Sequence, residues 1–237
     1  MSSTYKQQAG TKESEYKSDP ENRLLARASS YRMDAEMIRD QALDISGLLV
    51  RQIGGPSVRP YQPSGYYSQL NFPKRTYKHD KGNSQYRRGL YTHWQRTFLH
   101  PMLKAFDAPT REECTAQRPR SNTPLQSLNL LNDPSFVEAA RTFAAGILSS
   151  PAKADHQRIR SAFESVVLRQ PTHRELMILE QLLIETREGY SGEPERGLEL
   201  VKVGLNQAGK QCPPAELGAW TAVTRALFNL HETITRY

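Results

Sequence analysis

The sequence predicts a mainly α-helical protein that carries a proline-rich, mostly irregular basic insert and at most a small β element. On both flanks of the chain, apolar side chains recur every three or four residues, as they do on one face of a helix. Residues 51–120 instead contain seven prolines, which fix φ, remove backbone donors and prevent long helices. We therefore expect residues 1–18 to be frayed or truncated and residues 19–237 to form a single α-rich domain, with a helical C-terminal part over 121–237.

Two helices are expected in the N-terminal flank. The first follows Asp19-Pro20, where an N-cap acceptor precedes a proline that suits the first helical position. The second should run from Met33 to Val50, because one apolar stripe steps by three or four residues through Ile38, Ala42, Ile45 and Leu49.

One strand is expected within the insert, between Tyr86 and Thr97. Side chains alternate there with a period of two residues, which is the pattern of a half-buried strand. One side would carry Leu90, Thr92 and Trp94, and the other would carry Tyr91, His93 and Gln95.

Four helix starts follow the predicted strand. Capping boxes, in which a hydroxyl and an acidic or amide side chain satisfy free N–H groups, begin at Thr110, Thr123 and Thr172, and Asp133-Pro134 supplies the fourth start. Apolar stripes predict helices over 137–147, 159–166 and 176–183. A last helix after Pro213-Pro214 would align Leu217, Trp220, Thr224, Leu227 and Phe228.

The chain has a net charge of +7 and a sequence pI near 9.4, and the excess of basic side chains lies entirely in the insert. Residues 51–120 contain 13 basic and 4 acidic side chains, whereas residues 1–50 and 121–237 each have a net charge of −1. Six of the eleven tyrosines also lie in the insert. Basic side chains attract polyanions and aromatic rings stack on bases or sugars, so the insert fits an acidic polysaccharide or a nucleic acid. The alternative is an ordered loop whose arginines pair internally with carboxylates.

Composition excludes several classes of protein. No apolar run approaches the roughly 18 residues of a membrane span, and the first thirty residues are polar, so we expect no span and no signal peptide in this chain. Two cysteines exclude a disulfide framework and a four-cysteine zinc site. The spacing of His79, His93 and His100 matches no ligand motif, so we expect no metal and no cofactor.

Acidic side chains on the second predicted helix are candidate catalytic groups. Glu36, Asp40 and Asp44 are spaced by four residues, with Asp34 nearby, and carboxylates at that spacing can bind a hard cation or share a proton. The simpler interpretation is a solvated helix face or an ion-pair network with the neighbouring arginines.

Cys114 lies in a basic stretch that would lower the pKa of its thiol. A nucleophilic thiol needs a base, which the sequence does not place. We therefore favour a buried structural cysteine, or a disulfide bond with Cys212.

Nine short motifs occur in order: Asp19-Pro-Glu-Asn-Arg-Leu-Leu-Ala-Arg27; Arg32 with Asp34-Ala-Glu-Met-Ile-Arg-Asp40; Gly54-Gly-Pro-Ser57; Arg87-Arg-Gly-Leu-Tyr91; Phe106-Asp-Ala-Pro109; Cys114; Thr123-Pro-Leu-Gln126; Asn132-Asp-Pro-Ser-Phe-Val-Glu-Ala-Ala140; and Trp220 to Asn229-Leu230. Together they resemble a planctomycete-specific domain of unknown function found at the C-terminus of large cytochrome-c-type multidomain proteins.

The resemblance implies an exported protein at the periplasm or cell surface. It also implies upstream partner domains, among them a cytochrome-c-like module, and a role with complex, often sulfated, polysaccharide. It implies no reaction. The chain starts at a Met part-way into the family domain, so we expect a C-terminal fragment or a truncated gene product.

Three functional hypotheses follow. The first is a non-catalytic binding or structural module that contacts an acidic polysaccharide or a neighbouring domain through these candidate ligand-binding residues: Lys74, Arg87, Arg88, Tyr91, Trp94 and Arg118. The second is a hydrolytic or redox-coupled enzyme whose pocket would combine Asp34, Glu36, Asp40, Arg87, Asp107 and Cys114. The third, binding of nucleic acid, rests on charge alone, and we do not favour it.

Overall fold

A computed structural model of the chain describes residues 2–7, 9, 13–69, 76–95, 98–152, 154–207, 209 and 211–236. Within these residues there are nine α-helices and one sheet of two short strands. The helices are α1 (Glu13–Ser18), α2 (Ala35–Ile45), α3 (Pro101–Ala105), α4 (Pro124–Asn132), α5 (Pro134–Leu148), α6 (Asp155–Val167), α7 (His173–Gly192), α8 (Pro194–Val201) and α9 (Pro214–Phe228). The predicted mainly α fold class is confirmed.

The sheet joins sequence-distant parts of the chain. β1 (Tyr31–Arg32) pairs antiparallel with β2 (Thr235–Arg236), with Tyr31 opposite Arg236. The pairing holds the start of α2 beside the segment that follows α9, because Met33 N also donates to the carbonyl of Ile234 at 3.0 Å.

Helix α9 lies at the centre of the hydrophobic core. The predicted stripe is buried along its whole length: Leu217, Trp220, Thr224, Leu227 and Phe228 are each at most 2 % exposed. The helix packs mainly on α5 and α7. The Thr224 hydroxyl donates to the carbonyl of Ala140 on α5 at 2.9 Å, so this buried polar group is satisfied.

Two of the predicted helix caps have the expected geometry. Asp133 accepts a hydrogen bond from the Ser135 N–H at 2.8 Å and starts α5. Thr172 and Glu175 form a reciprocal capping box at the start of α7, since each side chain accepts from the other residue's N–H.

Two N-terminal predictions were wrong in detail. No helix follows Asp19-Pro20; instead Asp19 accepts from the N–H groups of Arg23 and Leu24 in a local turn, and Leu25 adopts a positive φ of 54°. Helix α2 is shorter than the predicted Met33–Val50 because Gly47, at φ 74°, turns the chain. Within residues 1–18, the structure has α1 and a 3₁₀ turn at Thr4–Lys6.

The capping box predicted at Thr110 does not start a helix. Arg111 adopts a positive φ of 65°, which breaks helical geometry directly after the cap. Thr123 does precede α4, but its side chain makes no capping hydrogen bond.

The strand predicted between Tyr86 and Thr97 is also wrong over residues 86–95, and Arg96 and Thr97 lie outside the described residues. The chain instead forms 3₁₀ turns at Gly82–Tyr86 and Gly89–Tyr91. Only isolated bridges link this stretch to Val50 and Val58, so within the described residues it has no partner strand for a ladder. Apart from α3 and a further 3₁₀ turn at Tyr66–Gln69, the described part of the insert is otherwise irregular, as expected.

Candidate functional site

The acidic side chains at the start of α2 face the insert. Arg118 binds Glu36 in a two-pronged geometry at 2.8 and 3.2 Å, and it lies 3.6 Å from Asp34. This arrangement is the geometry in which Arg pairs most strongly with a carboxylate. Arg118, predicted to bind a ligand, therefore ties the insert to α2.

Asp40 is held by the 3₁₀ turn at Gly89–Tyr91. Its carboxylate accepts from the Gly89 N–H at 2.5 Å and from Arg88 Nε at 3.2 Å. Burial raises the pKa of Asp40, and the two hydrogen bonds oppose that rise. Gly89 is required for this contact, because a Cβ there would lie 2.8 Å from the Cα of Glu36.

Arg87 is buried and serves the fold of the insert. Its guanidinium donates to the carbonyls of Gln52, Gly54 and Pro56 and stacks 3.9 Å from the ring centroid of Tyr91. The Tyr91 hydroxyl in turn accepts from the Gly54 N–H at 2.9 Å. Arg87 is only 4 % exposed, and its guanidinium fixes the conformation of the loop around Gly54.

A surface pocket of about 510 Å³ brings three of the predicted residues together. Asp40, Arg88 and Tyr91 line it, together with Gln41, Asp44, Leu49, Arg51 and Ile53. Its volume lies within the range of about 300 to 1,000 Å³ that is typical of small-molecule sites.

The remaining predicted residues lie elsewhere on the insert. Trp94 donates to the carbonyl of Thr110 and is covered by the guanidinium of Arg111, 3.8 Å from a ring centroid. Asp107 accepts from the backbone and hydroxyl of Ser121 at 2.7 and 2.9 Å. Lys74 lies outside the described residues.

The interpretation of Cys114 was wrong. Both cysteines are free, so no disulfide links Cys114 to Cys212, and Cys114 is exposed rather than buried. The segment that carries it contains bends but no helix or strand between Pro109 and Thr123.

A buried carboxylate that links three parts of the chain was missed at the sequence level. Glu138 on α5 is 1 % exposed, and its carboxylate accepts from the hydroxyls of Tyr61 and Tyr86 and from the Asn206 N–H. Burial raises the pKa of both tyrosines, and the nearby carboxylate of Glu138 raises it further. A charged residue between Val137 and Ala139, inside an otherwise apolar stretch, was the available signal.

Two more buried cations hold the insert and a neighbouring loop. Arg39, 1 % exposed, donates to the carbonyls of Gln85 and Arg87 at 2.6 and 2.7 Å. Arg141, also buried, donates to the carbonyls of Val203 and Asn206. These buried arginines therefore donate to backbone carbonyl oxygens. The sequence had instead suggested pairs between arginines and carboxylates.

An exposed basic surface is formed by Arg59, Lys78 and Lys81. The two chain segments that carry it are held together, because Asp80 N donates to the carbonyl of Arg59 and Asp80 accepts from the Arg59 N–H at 2.8 Å. Among the described residues, no carboxylate pairs with the side chains of these three cations. We call this set the basic surface.

Comparisons with known proteins match the chain to a family model. A family model described as PSD1, protein of unknown function (DUF1553), matches residues 1–183. No curated protein and no solved structure matches the chain. Along the described residues, no helix is long and apolar enough to cross a membrane, and no three His, Cys, Asp or Glu side chains cluster in a way that could hold a metal ion.

Proposed function

The chain belongs to the PSD1 family of proteins of unknown function (DUF1553), and on that premise we propose that it is a non-catalytic binding module whose insert contacts an acidic polysaccharide. The proposed setting is that of the resemblance: an exported multidomain planctomycete protein with a cytochrome-c-like module upstream, at the periplasm or cell surface.

The basic surface is the observation that carries this proposal. Arg59, Lys78 and Lys81 are exposed, are close together on two joined segments and have no carboxylate partner among the described residues. Exposed cations of this kind attract a polyanion through the release of its counterions. Many of the other basic side chains of the insert already have partners, as the contacts of Arg87 and Arg118 illustrate.

An enzymatic role has less support from the same contacts. Asp34 and Glu36 share Arg118, Asp40 is held by Arg88 and Gly89, and Asp107 is held by Ser121. Each candidate carboxylate is thus engaged by a local partner, whereas catalytic groups need a common substrate within hydrogen-bond reach. The contacts favour binding over catalysis.

Retention on dextran sulfate beads tests the proposal. The wild-type chain should bind at low ionic strength and elute in a salt gradient, because charge drives the interaction. The variant Arg59→Gln/Lys78→Gln/Lys81→Gln should elute at clearly lower salt. Arg87 is unsuitable for such a test, since its removal would disturb the Gly54 loop.

A charge-matched control separates a local surface from net charge. Arg160→Gln/Arg174→Gln/Lys202→Gln removes the same charge from exposed positions outside the insert and should elute like the wild type. Failure of the wild type to bind, or an equal loss in both triple variants, contradicts the proposal. Tighter binding to duplex DNA than to dextran sulfate at equal salt would indicate that the ligand is a nucleic acid and not a polysaccharide.

A further inference from the structure

The 510 Å³ pocket beside α2 has one acidic wall and one basic wall, and their charges are equal in number. Asp40 and Asp44 lie on the α2 side, and Arg88 and Arg51 lie on the insert side. Two ion pairs join the walls, Arg88 to Asp40 at 3.2 Å and Arg51 to Asp44 at 2.5 Å. The charged side chains of the lining therefore sum to zero.

This neutrality decides which ligands the pocket accepts. An anion would compete with Asp40 and Asp44 for the same guanidinium groups, and a cation would compete with Arg51 and Arg88 for the carboxylates. Either ligand leaves a charged partner unmatched, and the cost falls mainly on the Arg88–Asp40 pair, because the Asp40 side chain is only 16 % exposed. A neutral polyol avoids this cost, because its hydroxyls donate to the carboxylates and accept from the guanidinium groups without separating the pairs.

The remaining lining is suited to the apolar face of a ring. Ile53 is 90 % exposed at the pocket wall, and Leu49 and the ring of Tyr91 complete the apolar part. The Tyr91 hydroxyl accepts from Gly54 N, and among the described residues no acceptor takes its own proton. The wall therefore offers a carbon surface and a hydroxyl donor side by side.

The insert wall is already ordered by buried contacts. Arg87 holds the carbonyls of Gln52, Gly54 and Pro56 on one side of the Tyr91 ring. Arg39, which is buried on α2, donates to the carbonyls of Gln85 and Arg87. A ligand does not have to order this wall, and binding loses less free energy as a result.

We propose that the pocket between α2 and the insert binds an uncharged polyhydroxylated ring, the chemistry of a neutral sugar unit. The site is separate from the basic surface and does not rest on the polyanion proposal. A chain that ignores dextran sulfate can still bind a neutral sugar here, and the reverse also holds.

Amide NMR titrations with monosaccharide probes test the inference. Neutral methyl glycosides of glucose, galactose, mannose and xylose are compared with glucuronate and glucosamine. At least one neutral glycoside should shift the resonances of Gln41, Ile53 and Tyr91 in a saturable way, with higher affinity than either charged sugar. The inference fails if no neutral glycoside moves these resonances, or if a charged sugar binds more tightly.

Two variants sharpen the result. Ile53→Ala should weaken the glycoside by about fourfold, the equivalent of one buried methylene group, whereas Ile178→Ala, at 57 % exposure on α7, should not. Asp44→Asn leaves the lining with one excess positive charge and should shift preference from the neutral glycoside toward glucuronate. An unchanged preference in Asp44→Asn would overturn the charge argument.

Discussion

The carboxylate of Glu138 accepts a 2.9 Å hydrogen bond from the hydroxyl of Tyr61, which lies 77 residues earlier in the chain. Tyr86 donates to the other carboxylate oxygen at 2.8 Å, and the Asn206 N–H joins it at 2.6 Å. One buried side chain on α5 therefore holds together the insert, the helical body and the loop after α8.

Replacing Glu138 should destabilise the whole fold. Glu138→Ala leaves two buried hydroxyls and a backbone N–H without an acceptor, and we expect a loss of about 3 to 5 kcal/mol in the free energy of unfolding. Urea unfolding followed by circular dichroism measures it. Glu188→Ala, at an exposed position on α7, should change stability by less than about 0.5 kcal/mol. Equal effects of the two variants would show that the Glu138 contacts do not stabilise the fold.

His100 should make stability depend on pH. Burial lowers the pKa of His100 from 6.5 to about 4, and its Nε2 donates to the carbonyl of Tyr61 at 2.7 Å. Because the folded pKa lies below the unfolded one, the unfolded chain binds the proton first. Stability is complete above pH 6.5 and falls as the pH drops toward 4, by about 3 kcal/mol for this group.

Chemical denaturation at pH 7, 5.5 and 4.5 checks the His100 prediction. The variant His100→Gln keeps an N–H donor but does not titrate, so the fall in its unfolding free energy between pH 7 and 4.5 should be smaller than in the wild type. Parallel pH profiles for the two proteins would exclude a contribution from His100.

Two glycines should respond to alanine with opposite signs. At Gly89 a Cβ would lie 2.8 Å from the backbone of Glu36, so Gly89→Ala should separate the insert from α2 and cost about 1 to 3 kcal/mol. At Gly146, inside α5, nothing lies within 4 Å of the added Cβ, and alanine should stabilise the helix by about 0.5 to 1 kcal/mol. Thermal unfolding of both variants tests the pair, and a destabilised Gly146→Ala or a neutral Gly89→Ala would contradict it.

Sequence patterns predicted the helices that bury a continuous stripe. The helices that begin after Asp133 and Thr172 combine two independent signals, an apolar period and a hydrogen-bonding start, and both caps are present. Helix α9 has no side-chain cap, but its apolar stripe is buried as predicted. The box at Thr110 had the start but no apolar stripe behind it, and no helix forms there.

Alternation alone misled the prediction between Tyr86 and Thr97. Leu90 is 64 % exposed and Thr92 is 4 % exposed, so these two residues do not share a buried face as they would in a strand. A strand also needs a neighbour, and single-chain periodicity does not report whether one exists.

The candidate site was predictable in composition but not in pairing. One of the alternatives drawn from the sequence was that insert arginines pair with carboxylates, and Arg118 with Glu36 and Arg88 with Asp40 do so. The sequence did not indicate that Arg39 and Arg87 donate to backbone carbonyl oxygens. Every residue has a backbone carbonyl, so the identity of the residues does not show which carbonyl an arginine will bind.

The pairing of β1 with β2 has a consequence for biosynthesis. A ribosome makes Tyr31 long before Arg236, and α9, which fills the core, also comes late. Until those residues emerge, the apolar face of α5 has no α9 to pack on. Folding should therefore finish after translation of this region, and the nascent chain depends meanwhile on chaperones or on its own solubility.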